Sequence, residues 1–140
     1  MKRPSMRAGF AASVLTLLLL TACGEPVSDE HTIEDPGSFA DGRVTMTEEA
    51  EQRLDIQTTT ISSVDGRLMV PSSALIVDPD GVFWVYTSPE PLVFVRERIR
   101  LAPDGDDGDQ AFLKSGPASG TLVVTVGVPE LYGIEYEVGH

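Results

Sequence analysis

"VPSSALIVDPDGVFWVYT", Val70 to Thr87, is the stretch whose reading decides the fold. Two β-rich runs flank Asp78-Pro79-Asp80-Gly81, where proline presets φ and glycine accepts a positive one, so the stretch reads as a hairpin. In its second arm Val82, Trp84 and Tyr86 share one face, and Phe83 and Val85 share the other. Pro71 places the first arm, Leu68 to Val77, at a sheet edge or strand start. Pro89 and Pro91 are expected to end the second arm.

Downstream, Leu92 to Leu101 sets Val93, Val95, Glu97 and Ile99 against Phe94, Arg96, Arg98 and Arg100. That alternation predicts a one-sided strand with three arginines on one face. "APDGDDGD" reads as a loop, Ala111 to Lys114 as a short strand and "SGPASG" as a turn. Thr121 to Val126 is β-branched enough for a central strand. Upstream, "VTMTEEAEQRL" (Val44 to Leu54) predicts a short helix with Thr45 or Thr47 as N-cap, and Thr45 with Glu48 fits a capping box. "DIQTTTISSV" then turns strand-like. The fold expected is mainly β: a small antiparallel β-roll or barrel of about six short strands, with one short N-terminal helix.

The chain opens on a basic Met-Lys-Arg-Pro-Ser-Met-Arg, followed by an apolar run from Ala8 to Ala22 broken only by Gly9, Ser13, Thr16 and Thr21. A membrane-spanning helix needs about 20 apolar residues; this run is shorter and ends in small residues, so residues 1–22 read as an export signal. The single cysteine, Cys23, has no partner for an intramolecular disulfide, and Glu25 is a neighbour that would suppress a reactive thiolate. Leu20-Thr21-Ala22-Cys23 resembles the lipobox of bacterial lipoproteins. The resemblance implies that Cys23 carries a diacylglycerol thioether and becomes the mature N-terminus, anchored to the extracytoplasmic side of a membrane, periplasmic or at the outer cell surface. Two or three acyl chains hold stably where one does not.

Residues 23–42 are rich in acids and poor in large apolar side chains, so they read as a disordered tether spanning roughly 25 Å. Residues 43–128 hold the β domain, and residues 129–140 form a C-terminal tail with no mechanism legible in it. The whole chain carries a net charge of −12. Loss of the signal removes Lys2, Arg3 and Arg7 and no acid, which deepens the imbalance. Such a surface repels phosphate backbones, so nucleic acid is not an expected partner.

Chemistry is thinly supported. Ser72 and Ser73 lack a nucleophile elbow, and the chain has no zinc-protease motif or phosphate-binding glycine loop, so no catalytic residue is assigned and the protein is expected not to be an enzyme. Asp104, Asp106, Asp107 and Asp109 invite a calcium reading, but the glutamate that an EF-hand needs at its twelfth position would here be Ser115. His31, His140, Met46 and Met69 invite a copper reading, but they are scattered. No metal or cofactor is expected. Phe83, Trp84, Tyr86 and Phe94 read as core before ligand platform. Arg96, Arg98 and Arg100 are the candidate partner-binding residues, or else they pair with the domain's own acids.

One resemblance extends over most of Val44 to Gly127. Val70-Pro71 with Ala74-Leu75, Gly81 with Trp84-Val85-Tyr86, and the basic strand Arg96 to Arg100 follow one another in order. Gly108-Asp109, Gly116 and Gly120, and Val123-Val124 with Gly127 complete the series. Together these resemble the membrane-proximal domain of periplasmic adaptor proteins, the membrane fusion subunits of efflux pumps that serve resistance-nodulation-division transporters. "VTMTEEAEQRLDIQTTTI" is similar to the leading strand of heavy-metal-type adaptors. In that family the first and last segments of a long chain come together as the membrane-proximal domain, and here "SSVDGR" (Ser62 to Arg67) joins them directly. The long helical hairpin has no counterpart, because the longest run without Gly or Pro after the signal, Arg43 to Asp65, is too short to supply it.

The resemblance implies a lipid-anchored, non-enzymatic accessory subunit that docks on a membrane transporter or a full-length adaptor. A free-standing ligand- or cation-binding lipoprotein is the alternative.

Overall fold

The computed structural model describes residues 35–137. The expected signal, Cys23, most of the expected tether and both histidines lie outside these residues. The class is as expected: a mainly β domain with a nearly closed, barrel-like antiparallel sheet. Its strands are more numerous than the six expected. They are β1 (Gly37–Ala40), β2 (Arg43–Met46), β3 (Gln57–Thr60), β4 (Ser62–Val64), β5 (Arg67–Pro71), β6 (Ile76–Val77), β7 (Phe83–Glu90), β8 (Val93–Asp106), β9 (Gln110–Ser115) and β10 (Leu122–Val126). Two helices accompany them, α1 (Glu48–Arg53) and α2 (Val128–Glu137).

The sheet runs β3-β10-β7-β8-β9-β5-β4, with β2 also on β8, β1 on β2 and β6 on β7. The quoted stretch forms the expected hairpin in part. Ile76 pairs with Trp84 and Val77 with Phe83 around the Asp78–Gly81 turn, where Gly81 has φ +77°. The first arm is not one continuous strand, however. A 3₁₀ turn at Ser72–Ala74 separates β5 from β6, so the two pieces pair in different parts of the sheet.

Strand alternation sends side chains to two cores. Val85, Ile99, Val123, Val70, Ala111 and Leu113 pack with Ile61 and Ala74 on one face of the β10-β7-β8 sheet. Tyr86, Phe94, Val124 and Val44 lie on the other, under Val128, Leu131 and Ile134 of α2. The central strands are therefore buried on both faces, as the adjacent fully buried pair Val123 and Val124 shows.

Several boundaries depart from expectation. Residues 37–40, expected in the tether, form β1, because Asp41 and Gly42 both take positive φ (+53° and +75°) and close a two-residue turn onto β2. Phe39 packs against the core from there. Val44 to Met46 is strand, with Val44 and Met46 inward, so the helix starts only at Thr47, whose hydroxyl accepts from the Ala50 N–H at 3.1 Å. Pro89 and Pro91 do not end β7 at Thr87, since its pairing with β8 resumes at Glu90–Val93 after an irregularity. The aspartate-rich segment extends β8 to Asp106, and the buried Gly105 lies so close to Ala102 and Phe112 backbone that no side chain fits. The largest difference is the tail, most of which is the helix α2 packed on the second core.

Candidate functional site

The site is built where α2 meets the arginine face of β8. Tyr86 lies opposite Arg96, and Trp84 opposite Arg98, so all four share the face that α2 partly covers. Glu135 of α2 is nearly buried, with 9% of its side chain exposed, and it has two partners. One carboxylate oxygen meets the Arg96 guanidinium at 3.0 Å, and the other accepts the Tyr86 hydroxyl at 2.5 Å. Burial pushes the Tyr86 phenol well above its ordinary value, and the hydrogen bond to Glu135 and the charge of that carboxylate push it the same way.

Arg96 is sandwiched as well as paired. Its guanidinium lies 4.5 Å from the centre of the Trp84 ring and 5.9 Å from that of Tyr132. The Trp84 indole N–H donates to Asp78 at 2.9 Å, and the N–H groups of Asp80 and Val82 donate to the other oxygen of the same carboxylate. The Val82 N–H and then the indole hold the Asp78 carboxyl below its ordinary value. Tyr136 extends the row, its ring centre 4.4 Å from that of Tyr132. Asp78 thus closes the hairpin turn and fixes the indole at once.

The three candidate arginines divide. Arg96 is absorbed into the domain's own network, with only 21% of its side chain exposed. Arg98 and Arg100 continue the same face, are exposed, and have no ion pair among the described residues. Of the two possibilities weighed for the arginine strand, pairing with the domain's own acids is seen at Arg96. Of the aromatic candidates, Tyr86 and Phe94 are buried in the core, while Phe83 and Trp84 are half-buried. Asp104 pairs with Arg67 at 2.9 Å, and among the described residues no three His, Cys, Asp or Glu side chains are grouped to hold a metal ion. Ser72 has a buried hydroxyl with no hydrogen-bond partner.

Glu135 and Tyr132 were not singled out in the sequence. Their signal is the spacing Val128, Leu131, Ile134 and Glu135, one helical face, with Pro129 allowed in a first turn. Gly133 inside that run obscures it.

Fold and site together define a small antiparallel β domain whose C-terminal helix is bolted to the sheet by a buried carboxylate, leaving an aromatic and cationic row at the surface. No family model, no curated protein and no solved structure matches the chain. Among the described residues no helix is long and apolar enough to cross a membrane.

Proposed function

We propose that the protein is a lipid-anchored, non-enzymatic accessory subunit of adaptor type, held by Cys23 at the extracytoplasmic face of a membrane, where it docks on an efflux transporter or its full-length adaptor. The observation that carries this reading is the pairing of β3 with β10, Thr60 with Leu122 through Gln57 with Val126. The leading segment of the chain lies directly against its closing segment, the juxtaposition that the adaptor resemblance implies. The connection between them supports the same reading. Ser62 to Arg67 is a tight β4–β5 hairpin, with Asp65 and Gly66 at φ +51° and +75°, a connection short enough to be the direct junction that the resemblance implies.

The mechanism of such a subunit is binding, with the anchor raising its local concentration at the membrane. Crosslinking of the tagged, lipidated protein in cells, followed by mass spectrometry, tests it. The expected result is recovery of a transporter of the efflux class or of a full-length adaptor. Recovery of neither, under conditions that capture a known adaptor complex, would sink the proposal and leave the ligand-binding lipoprotein in front.

A further inference from the structure

We infer that the row formed by Trp84, Arg98 and Arg100 is the docking face, and that its occupant is an acidic, extended segment of a partner protein with carboxylates at alternate positions. The inference rests on the docking reading above and adds the face and the chemistry of the partner.

The first support is charge. The chain has 22 acidic residues to 10 basic ones. Arg43 reaches Glu90, Arg67 reaches Asp104 and Arg96 reaches Glu135, whereas Arg53, Arg98 and Arg100 reach no acid among the described residues, and of these only Arg98 and Arg100 stand two residues apart on one strand face. A guanidinium presents a planar fork suited to two carboxylate oxygens, and two such forks stand here side by side without a counterion of their own. Residues i and i+2 of a strand lie about 6.6 Å apart, the spacing of alternate side chains in an extended partner segment.

The second support is rigidity. Trp84 lies opposite Arg98, half-exposed, with its N–H held by Asp78 and its ring stacked on Arg96, which Glu135 holds in turn. Tyr132 and the 43% exposed Tyr136 continue the aromatic surface from α2. Tryptophan, tyrosine and arginine are the side chains that dominate protein interfaces, and those fixed before binding lose least entropy on docking. Anionic lipid is the less suitable occupant. Headgroup binding relies on clusters of roughly four to eight basic side chains, and here two free arginines stand on a molecule of net charge −12.

The test uses the mature chain and a fluorescein-labelled (Glu-Ser)₄ peptide, followed by anisotropy at low and at physiological salt. Two comparison probes are a peptide of the same composition with its glutamates in one block and vesicles containing 30% phosphatidylglycerol. The expected result is saturable binding of the alternating peptide, weakened at least tenfold by Arg98→Glu/Arg100→Glu and by added salt, and unchanged by Arg53→Glu, an exposed arginine of α1. The block peptide should bind more weakly. Trp84→Phe, which keeps a ring but not the indole N–H, should weaken binding several-fold, with circular dichroism checking that each variant is folded. Binding that survives the double reversal, or that appears only with vesicles, overturns the inference, as does no binding to the peptide. The same double variant in the cellular crosslink separates the two proposals. Partner capture that persists with it overturns this face while the adaptor reading stands, and capture absent even with the unaltered chain defeats the adaptor reading.

Discussion

Glu135 ties α2 to the sheet through both of its carboxylate oxygens. A carboxylate placed at the edge of an apolar core is costly unless it is paired and hydrogen-bonded, and here both oxygens are engaged. Removing it strands Arg96 between two rings and leaves the Tyr86 hydroxyl buried without an acceptor. Glu135→Ala should therefore cost about 3 kcal/mol, the lower end for breaking a buried pair, because Arg96 keeps some solvent. Tyr86→Phe should cost about 1.5–3 kcal/mol, the range for a hydrogen bond to a charged group. Urea titration measures both, and an Arg96→Met/Glu135→Leu double variant less destabilised than Glu135→Ala would show that pairing, not charge itself, is what the site requires.

The burial of Tyr86, reinforced by Glu135, sets an alkaline limit. The folded state holds the Tyr86 phenol above its ordinary pKa of 10.0, so its contribution is complete below that value. As pH rises through it, the unfolded tyrosine ionises while the folded one does not, and stability falls. The melting temperature of the native chain should therefore drop between about pH 9.5 and 11 more steeply than that of Tyr86→Phe. Parallel curves would contradict this.

At the scale of elements, short connections do most of the positioning. Gly127 joins β10 to α2 with φ +88°, and a Cβ there would collide with the Ile56 side chain. Gly127→Ala should destabilise by about 1 kcal/mol or more, chiefly through the strained positive φ, because the end of the Ile56 side chain can shift aside. A near-neutral melt would mean that α2 can approach the sheet another way. At α1 the Thr47 hydroxyl caps the first turn, so Thr47→Ala should cost about 1 kcal/mol, and Thr45→Ala much less, because Thr45 is an exposed strand residue. That pair of measurements separates the observed cap from the capping box that the sequence suggests.

At the scale of the whole molecule, α2 is the cover of one of two cores. Without Val128, Leu131 and Ile134, the apolar surface of Val44, Tyr86, Phe94 and Val124 would face water. A chain ending at Gly127 should lose its cooperative melt and aggregate, as read by calorimetry and size exclusion. A soluble, cooperatively folded truncation would show that the sheet sustains itself. The proposed anchor belongs to this scale too. Cys23→Ser should abolish incorporation of labelled palmitate and move the protein from the membrane fraction to the soluble one.

The amino-acid sequence by itself determined the elements whose signals are local. The Asp78–Gly81 turn, the alternation that sets Ile99 on the face opposite Arg98 and Arg100, and the β-branched strand at Leu122–Val126 are set by a proline, by glycines and by a period of two. The Asp41-Gly42 turn was equally legible, but its acidic surroundings read as tether. The tertiary structure alone decided what depends on distant partners. The run from Leu68 to Val77 breaks because β5 and β6 pair with different strands, Pro89 stays in β7 because β8 continues beside it, and the tail is helical because its apolar face has a core to cover. Glu135 meets Tyr86 across 49 residues, and no local pattern distinguishes Arg96, which lies beneath α2, from Arg98 and Arg100, for which the described structure holds no carboxylate. Strand periodicity assigns a side chain to a face; only the packing of another element onto that face decides whether its charge is neutralised or left for a partner.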